Sequence, residues 1–71
     1  MGVAKKGIFE LERLVRERTH RRVKNLSVAV QNERIVLHGV VNSFHLKQLA
    51  QHGILDVLPD VPLTNAIRVE Q

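Results

Sequence analysis

Seventy-one residues carrying a net charge of +4 allow one small domain, because a chain this short cannot fill two separate hydrophobic cores. Cysteine, tryptophan and tyrosine are absent and Phe9 and Phe44 are the only aromatic rings. That composition removes disulfides, thiol chemistry and thiolate metal sites, and it leaves neither a platform for stacked single-stranded bases nor a Trp or Tyr anchor at a membrane interface. Eleven Lys and Arg against seven Asp and Glu favour anionic partners without bearing on the fold.

Residues 1–7, small and basic, are expected to be a flexible tail, and residues 8–71 the single domain. Lys5 and Lys6 are not followed by an apolar run of signal-peptide length, since Glu10, Glu12 and Arg13 interrupt it. Met1-Gly2 lacks the Ser or Thr of a myristoylation motif, Lys6 standing in its place. No stretch approaches the roughly 20 apolar residues of a transmembrane segment. As given, the chain reads as cytoplasmic, without an export address.

From residue 8 to about residue 19, Ile8, Leu11, Leu14 and Val15 recur at helical spacing, with Arg13, Arg16 and Glu17 on the other side. Arg18 falls near the apolar stripe, which either ends there or lets Arg18 snorkel outward. His20, Arg21, Arg22 and Lys24 follow where a helix C-terminus favours positive charge, and Asn25 starts a turn.

Residues 26–41 form the centre of the pattern. Leu26, Val28 and Val30, then Ile35, Leu37, Gly39 and Val41, alternate with a period of two on either side of a polar break at Gln31-Asn32-Glu33-Arg34. This is a β-hairpin with one apolar face. Its turn is either Asn32-Glu33 alone or a four-residue loop. Gly39 inside the second strand implies a bulge or the close approach of another backbone, and a helix crossing there is expected.

Asn42 and Ser43 suit a helix N-cap, and residues 44 to about 58 place Leu46, Leu49, Ala50, Gly53, Ile54 and Val57 on one stripe. Gly53 is unfavourable inside a helix by about 1 kcal/mol relative to Ala, so close packing, over Gly39, is expected to offset it. Pro59 stops the helix, and after Pro62 the residues Leu63, Asn65, Ile67 and Val69 alternate as a third strand. The expected fold is α+β, in the order α-β-β-α-β, with two helices packed on one face of a three-stranded sheet whose second face stays half open.

That order and several residues resemble the BON domain, the bacterial osmotic-shock and nodulation family. Its central V-x-L-x-G-x-V pattern followed by Ser is similar to Ile35-Val36-Leu37-His38-Gly39-Val40-Val41 and then Asn42-Ser43. Its closing V-x-N-x-I-x-V pattern is similar to Leu63-Thr64-Asn65-Ala66-Ile67-Arg68-Val69, after Leu58-Pro59-Asp60-Val61, where Asp60 stands at the family's usual glycine. Members are mostly bacterial envelope or membrane-associated proteins, often periplasmic. The resemblance implies a non-enzymatic domain that binds phospholipid or acts as an interaction module.

The residues themselves point away from catalysis. Ser43 has no G-x-S-x-G context or paired acid, Asp56 and Asp60 read as helix-end carboxylates, and no Gly-rich loop is present to cradle phosphate. Among His20, His38, His45 and His52, only His45 and His52 could share a helical face with His38 nearby, and packing or surface roles account for them better than a metal site. No cofactor is expected.

The basic cluster Arg13, Arg16, His20, Arg21, Arg22 and Lys24 is the candidate site, for anionic phospholipid headgroups. A solvated helix face with a C-terminal dipole complement is the structural alternative. Nucleic acid is disfavoured by the missing ring pair and the missing G-x-x-G loop. Ala29, Val36 and Val40, on the open face of the sheet, point instead to a homo-oligomer or a partner protein.

Overall fold

Both periodicities resolve into the elements they imply. The computed structural model describes residues 7–71, in the order α1 (Ile8–Arg18), β1 (Lys24–Gln31), β2 (Arg34–Val41), α2 (Phe44–Leu55), β3 (Leu63–Asn65) and β4 (Arg68–Val69). The expected tail over residues 1–7 lies outside the described residues, except for Gly7 ahead of α1.

β2 is the hub of the sheet: β1 pairs with it antiparallel on one side, and β3 and β4 pair with it parallel on the other. Parallel neighbours cannot be joined by a tight turn, and α2 supplies the crossover between β2 and β3. Ile35 pairs with Leu63, Leu37 with Asn65, Val40 with Arg68 and Val41 with Val69, a single unbroken register. β3 and β4 are therefore the expected third strand, interrupted at Ala66 and Ile67.

Asn65 lies at the interruption. Its Nδ2 donates to the Lys47 carbonyl (2.9 Å) and to Gln51 Oε1 (3.3 Å) on α2, while its Oδ1 accepts from the Ile67 N–H (3.2 Å). That last bond satisfies the Ile67 amide, which points away from β2, while the fully buried Ile67 side chain packs into the core.

The inward set of the hairpin behaves as the alternation requires. Val28, Ile35, Leu37 and Val41 are buried with Leu11 and Val15 of α1, Leu46, Ala50 and Ile54 of α2, and Leu58 and Ile67. α1 lies over β1 and beside α2, and α2 spans β2 and the β3–β4 strand. Thr19 joins this interior, fully buried, its hydroxyl donating to the Val15 carbonyl at 2.8 Å.

Asn32 (φ 51°) and Glu33 (φ 63°) make the hairpin a two-residue connection, with Gln31 paired to Arg34. Two left-handed residues in succession are the signature of the type I′ turn, whose twist matches that of the strands. Asn tolerates the conformation. For Glu33 it is unfavourable by about 1–2 kcal/mol.

The expected meeting of Gly39 and Gly53 does not occur. A Cβ on Gly39 would lie 2.7 Å from Val23 Cγ1 and 3.2 Å from the Lys24 carbonyl oxygen, so it is the entry to β1 that presses on Gly39, not a helix. The register slips between Lys24 and Ser27, with Asn25 left-handed (φ 56°), so Asn25 belongs to a bulge inside β1 and not to a turn before it. A Cβ on Gly53 would lie 3.3 Å from the Leu14 carbonyl oxygen and 3.2 Å from Arg18 Cγ, which makes Gly53 the contact between the two helices.

α2 ends at Leu55, three residues before the expected limit. The amides of Val57 and Leu58 both reach the Ile54 carbonyl (3.1 and 2.9 Å), tightening the chain into a turn ahead of Pro59. At its start, Ser43 Oγ accepts from the Leu46 N–H at 3.2 Å, the cap read from the sequence.

Candidate anionic-surface site

The six basic residues sit on three consecutive pieces of structure. Arg13 and Arg16 are exposed on α1, and Arg16 pairs with Glu12 one turn earlier at 3.6 Å. Arg18, the stripe's odd member, lays its stem on Gly53 and carries its guanidinium out to the Asp56 carboxylate at the end of α2. It snorkels. The pair also offsets the unfavourable position of an acid at a helix C-terminus.

His20 and Arg21 make the corner. The His20 N–H donates to the Glu17 carbonyl (3.3 Å) and the Arg21 N–H to the Arg16 carbonyl (2.7 Å), the paired bonds of a Schellman end with Thr19 as C-cap. His20 (φ 55°) and Arg21 (φ 61°) both adopt the left-handed conformation that glycine occupies most readily. Two bulky residues, His20 and Arg21, are held where a small one would be more stable.

Beyond the corner, Arg22 and Lys24 line a shallow cleft with Val40, Val41, Asn42 and Glu70 at the end of the sheet. This joins the two residues to the sheet, while Arg13 and Arg16 stay on the helix and outside the cleft lining. Arg13, His20, Arg21, Arg22 and Lys24 are exposed and make no ion pair among the described residues.

The outward phase of the strands adds cations that the reading of the cluster missed. Across the open face, Lys24 pairs in register with Val40 and Val40 with Arg68, while Ser27 pairs with His38. Arg34 donates from Nη1 to Thr64 Oγ1 at 3.1 Å on the same face, and Arg68 pairs with Glu70. The signal for these lay in the even-numbered positions of residues 34–40 and 64–68, which face away from the apolar phase. Ala29, Val36 and Val40 share that face, half-buried between these longer neighbours.

The other candidate constellations separate. His45 and His52 are exposed on α2, whereas His38 lies on the opposite side of the sheet. Among the described residues no three His, Cys, Asp or Glu side chains gather as metal ligands, and no buried side-chain polar atom lacks a partner. Asp56 is engaged by Arg18, and the Ser43 hydroxyl by the Leu46 amide. No helix among the described residues is long and apolar enough to cross a membrane.

No family model matches the chain, and comparisons with curated proteins and with solved structures find no match either.

Proposed function

We propose that this chain is a non-enzymatic docking domain that engages anionic phospholipid surfaces through the basic corner between α1 and β1, the role its resemblance to the BON domain implies. The observation that carries the reading is the exposure of Arg13, His20, Arg21, Arg22 and Lys24 with no acidic partner among the described residues, two of them at left-handed positions. A solvated helix face does not require an imidazole and a guanidinium at those positions. Backbone strain retained at an exposed corner supports a role for the side chains it presents.

Each Lys or Arg near an anionic bilayer contributes about 1 kcal/mol, so the four Lys and Arg of this set would together raise partitioning by roughly a thousandfold. Vesicle flotation tests the reading. Binding to phosphatidylglycerol vesicles, weakened by salt and abolished in Arg21→Glu/Arg22→Glu, is the expected result. Equal failure to float with phosphatidylglycerol and with phosphatidylcholine vesicles overturns it.

A further inference from the structure

The backbone groups of β2 divide by parity. The Ile35 N–H donates to the Pro62 carbonyl, and the Leu37 and Val41 carbonyls accept from Ala66 and Glu70, so the odd positions of β2 face the β3–β4 strand. Its even positions face β1. Since Arg34, Val36 and His38 pair with Gln31, Ala29 and Ser27, those three residues of β1 spend their backbone groups on β2. The N–H and C=O of Val28 and Val30 point away from the sheet. No other described strand or loop meets them.

This outer edge has an unusual composition for an open one. Residues 26–31, Leu-Ser-Val-Ala-Val-Gln, contain no charge, no proline and no glycine, whereas natural edges are commonly blunted by one of these. On the helix-covered side, Val30 is left 39% exposed and Leu26 half-buried, two apolar side chains that the fold does not finish covering.

The geometry points to a second copy of this chain as the occupant, its β1 added antiparallel to β1 about a twofold axis through Val28. In that register Val28 meets the partner's Val28, and Leu26 meets the partner's Val30. Val28 then exchanges both of its outward hydrogen bonds with the partner's Val28, the requirement for a closed, self-complementary contact. Leu26 and Val30 cover each other on the helix side, and Ser27 meets the partner's Ala29 on the open face. The charge pattern permits this contact: residues 26–31 carry no charge, so they bring no like charges across the seam. An acidic or basic foreign strand would find no complementary charge along residues 26–31.

An axis perpendicular to the sheet keeps both open faces on one side. Lys24, Arg34 and Arg68 of each copy would then address one surface, which converts two weak contacts into a bivalent one. The association itself does not rest on the lipid reading.

Sedimentation of the unaltered chain in lipid-free buffer, from micromolar to millimolar concentration, tests it. The expected result is a rise from 8.1 kDa toward twice that mass, with the Val28 and Val30 amides gaining protection from hydrogen exchange as concentration increases. Val30→Lys should weaken the association by about tenfold or more with an unchanged circular dichroism spectrum. Because the chain has no cysteine, mixing Ser27→Cys with Ala29→Cys and oxidising should give a disulfide-linked pair that neither variant gives alone. A monomer at every concentration, protection of those two amides that is independent of concentration, or a linked pair from Ser27→Cys alone overturns the proposal. None of these outcomes depends on vesicle binding, so the two readings fail separately.

Discussion

Along β3 and β4 the sheet ends in two short pieces, three and two residues long, whereas along β1 it ends in eight continuous residues. The far edge is blunted in three ways: Pro62 precedes it, Asn65 occupies the outward Ile67 amide, and Arg68 and Glu70 place charge at its end. The near edge has one irregularity, the bulge at Lys24 to Ser27, and beyond it a run of uncharged residues. Both strands lean on β2, yet one is shaped to stop further pairing and the other is not. The difference shows that this small domain can suppress edge pairing with local chemistry, and that it does so on one side only.

The contrast can be broken most severely at the bulge. Gly39→Val would drive a branched side chain into Val23 and the Lys24 carbonyl, at a position where the glycine itself has φ 156°. Overpacking of this kind is destabilising by about 3 kcal/mol, and in a domain of this size the thermal midpoint should fall by more than about 10 °C. A midpoint within a few degrees of the unaltered chain would mean that β1 does not press on Gly39.

Removing the side chain that occupies the far edge's outward amide comes next. Asn65→Leu loses the bonds to Lys47, Gln51 and Ile67, and a cost of about 2 kcal/mol is expected, with faster exchange of the Ile67 amide in native-state hydrogen exchange. Unaltered exchange at Ile67 would show that Asn65 does not hold that amide.

A smaller change sharpens the near edge. Glu33→Gly relieves the left-handed strain in the hairpin turn and should stabilise the fold by about 1 kcal/mol, read as a higher denaturation midpoint at constant slope. A loss of stability would mean that the Glu33 side chain makes a contribution larger than its strain.

The least effect on folding is expected from Val30→Lys, within about 0.5 kcal/mol by chemical denaturation, since the residue lies at an open edge. Near-neutral stability combined with weaker self-association would separate what the near edge does between molecules from what it does within one. A large loss of stability would place Val30 in the core instead.

Much of this could be read before any coordinates. The period-two runs around Asn32-Glu33 identified the hairpin and its inward face, because alternation reports which side of a strand is buried. Ser43 and Pro59 bracketed α2 for equally local reasons, one satisfying a free amide and the other having none to donate. Gly39 marked a close approach correctly. What approaches it was beyond reach, since a missing side chain signals crowding without naming the neighbour. Thr19 was overlooked although it continues the Leu11 and Val15 spacing by one more turn, since a hydroxyl is not counted as apolar until its own donor is seen bonded to Val15. The candidate site was half legible: contiguity in the chain exposed the cluster from Arg13 to Lys24, while Arg68 comes level with Lys24 only across strands, through Val40.

By itself the sequence determined the element types, their order and which residues face inward, because periodicity, capping and proline act within a few residues of one another. Only the tertiary structure decided that the last strand runs parallel to β2, that Asn65 ties it to α2, and that β1 is left at the rim. Those outcomes depend on which distant segments compete for the same hydrogen bonds and the same apolar face, a choice made between elements and invisible within any one of them.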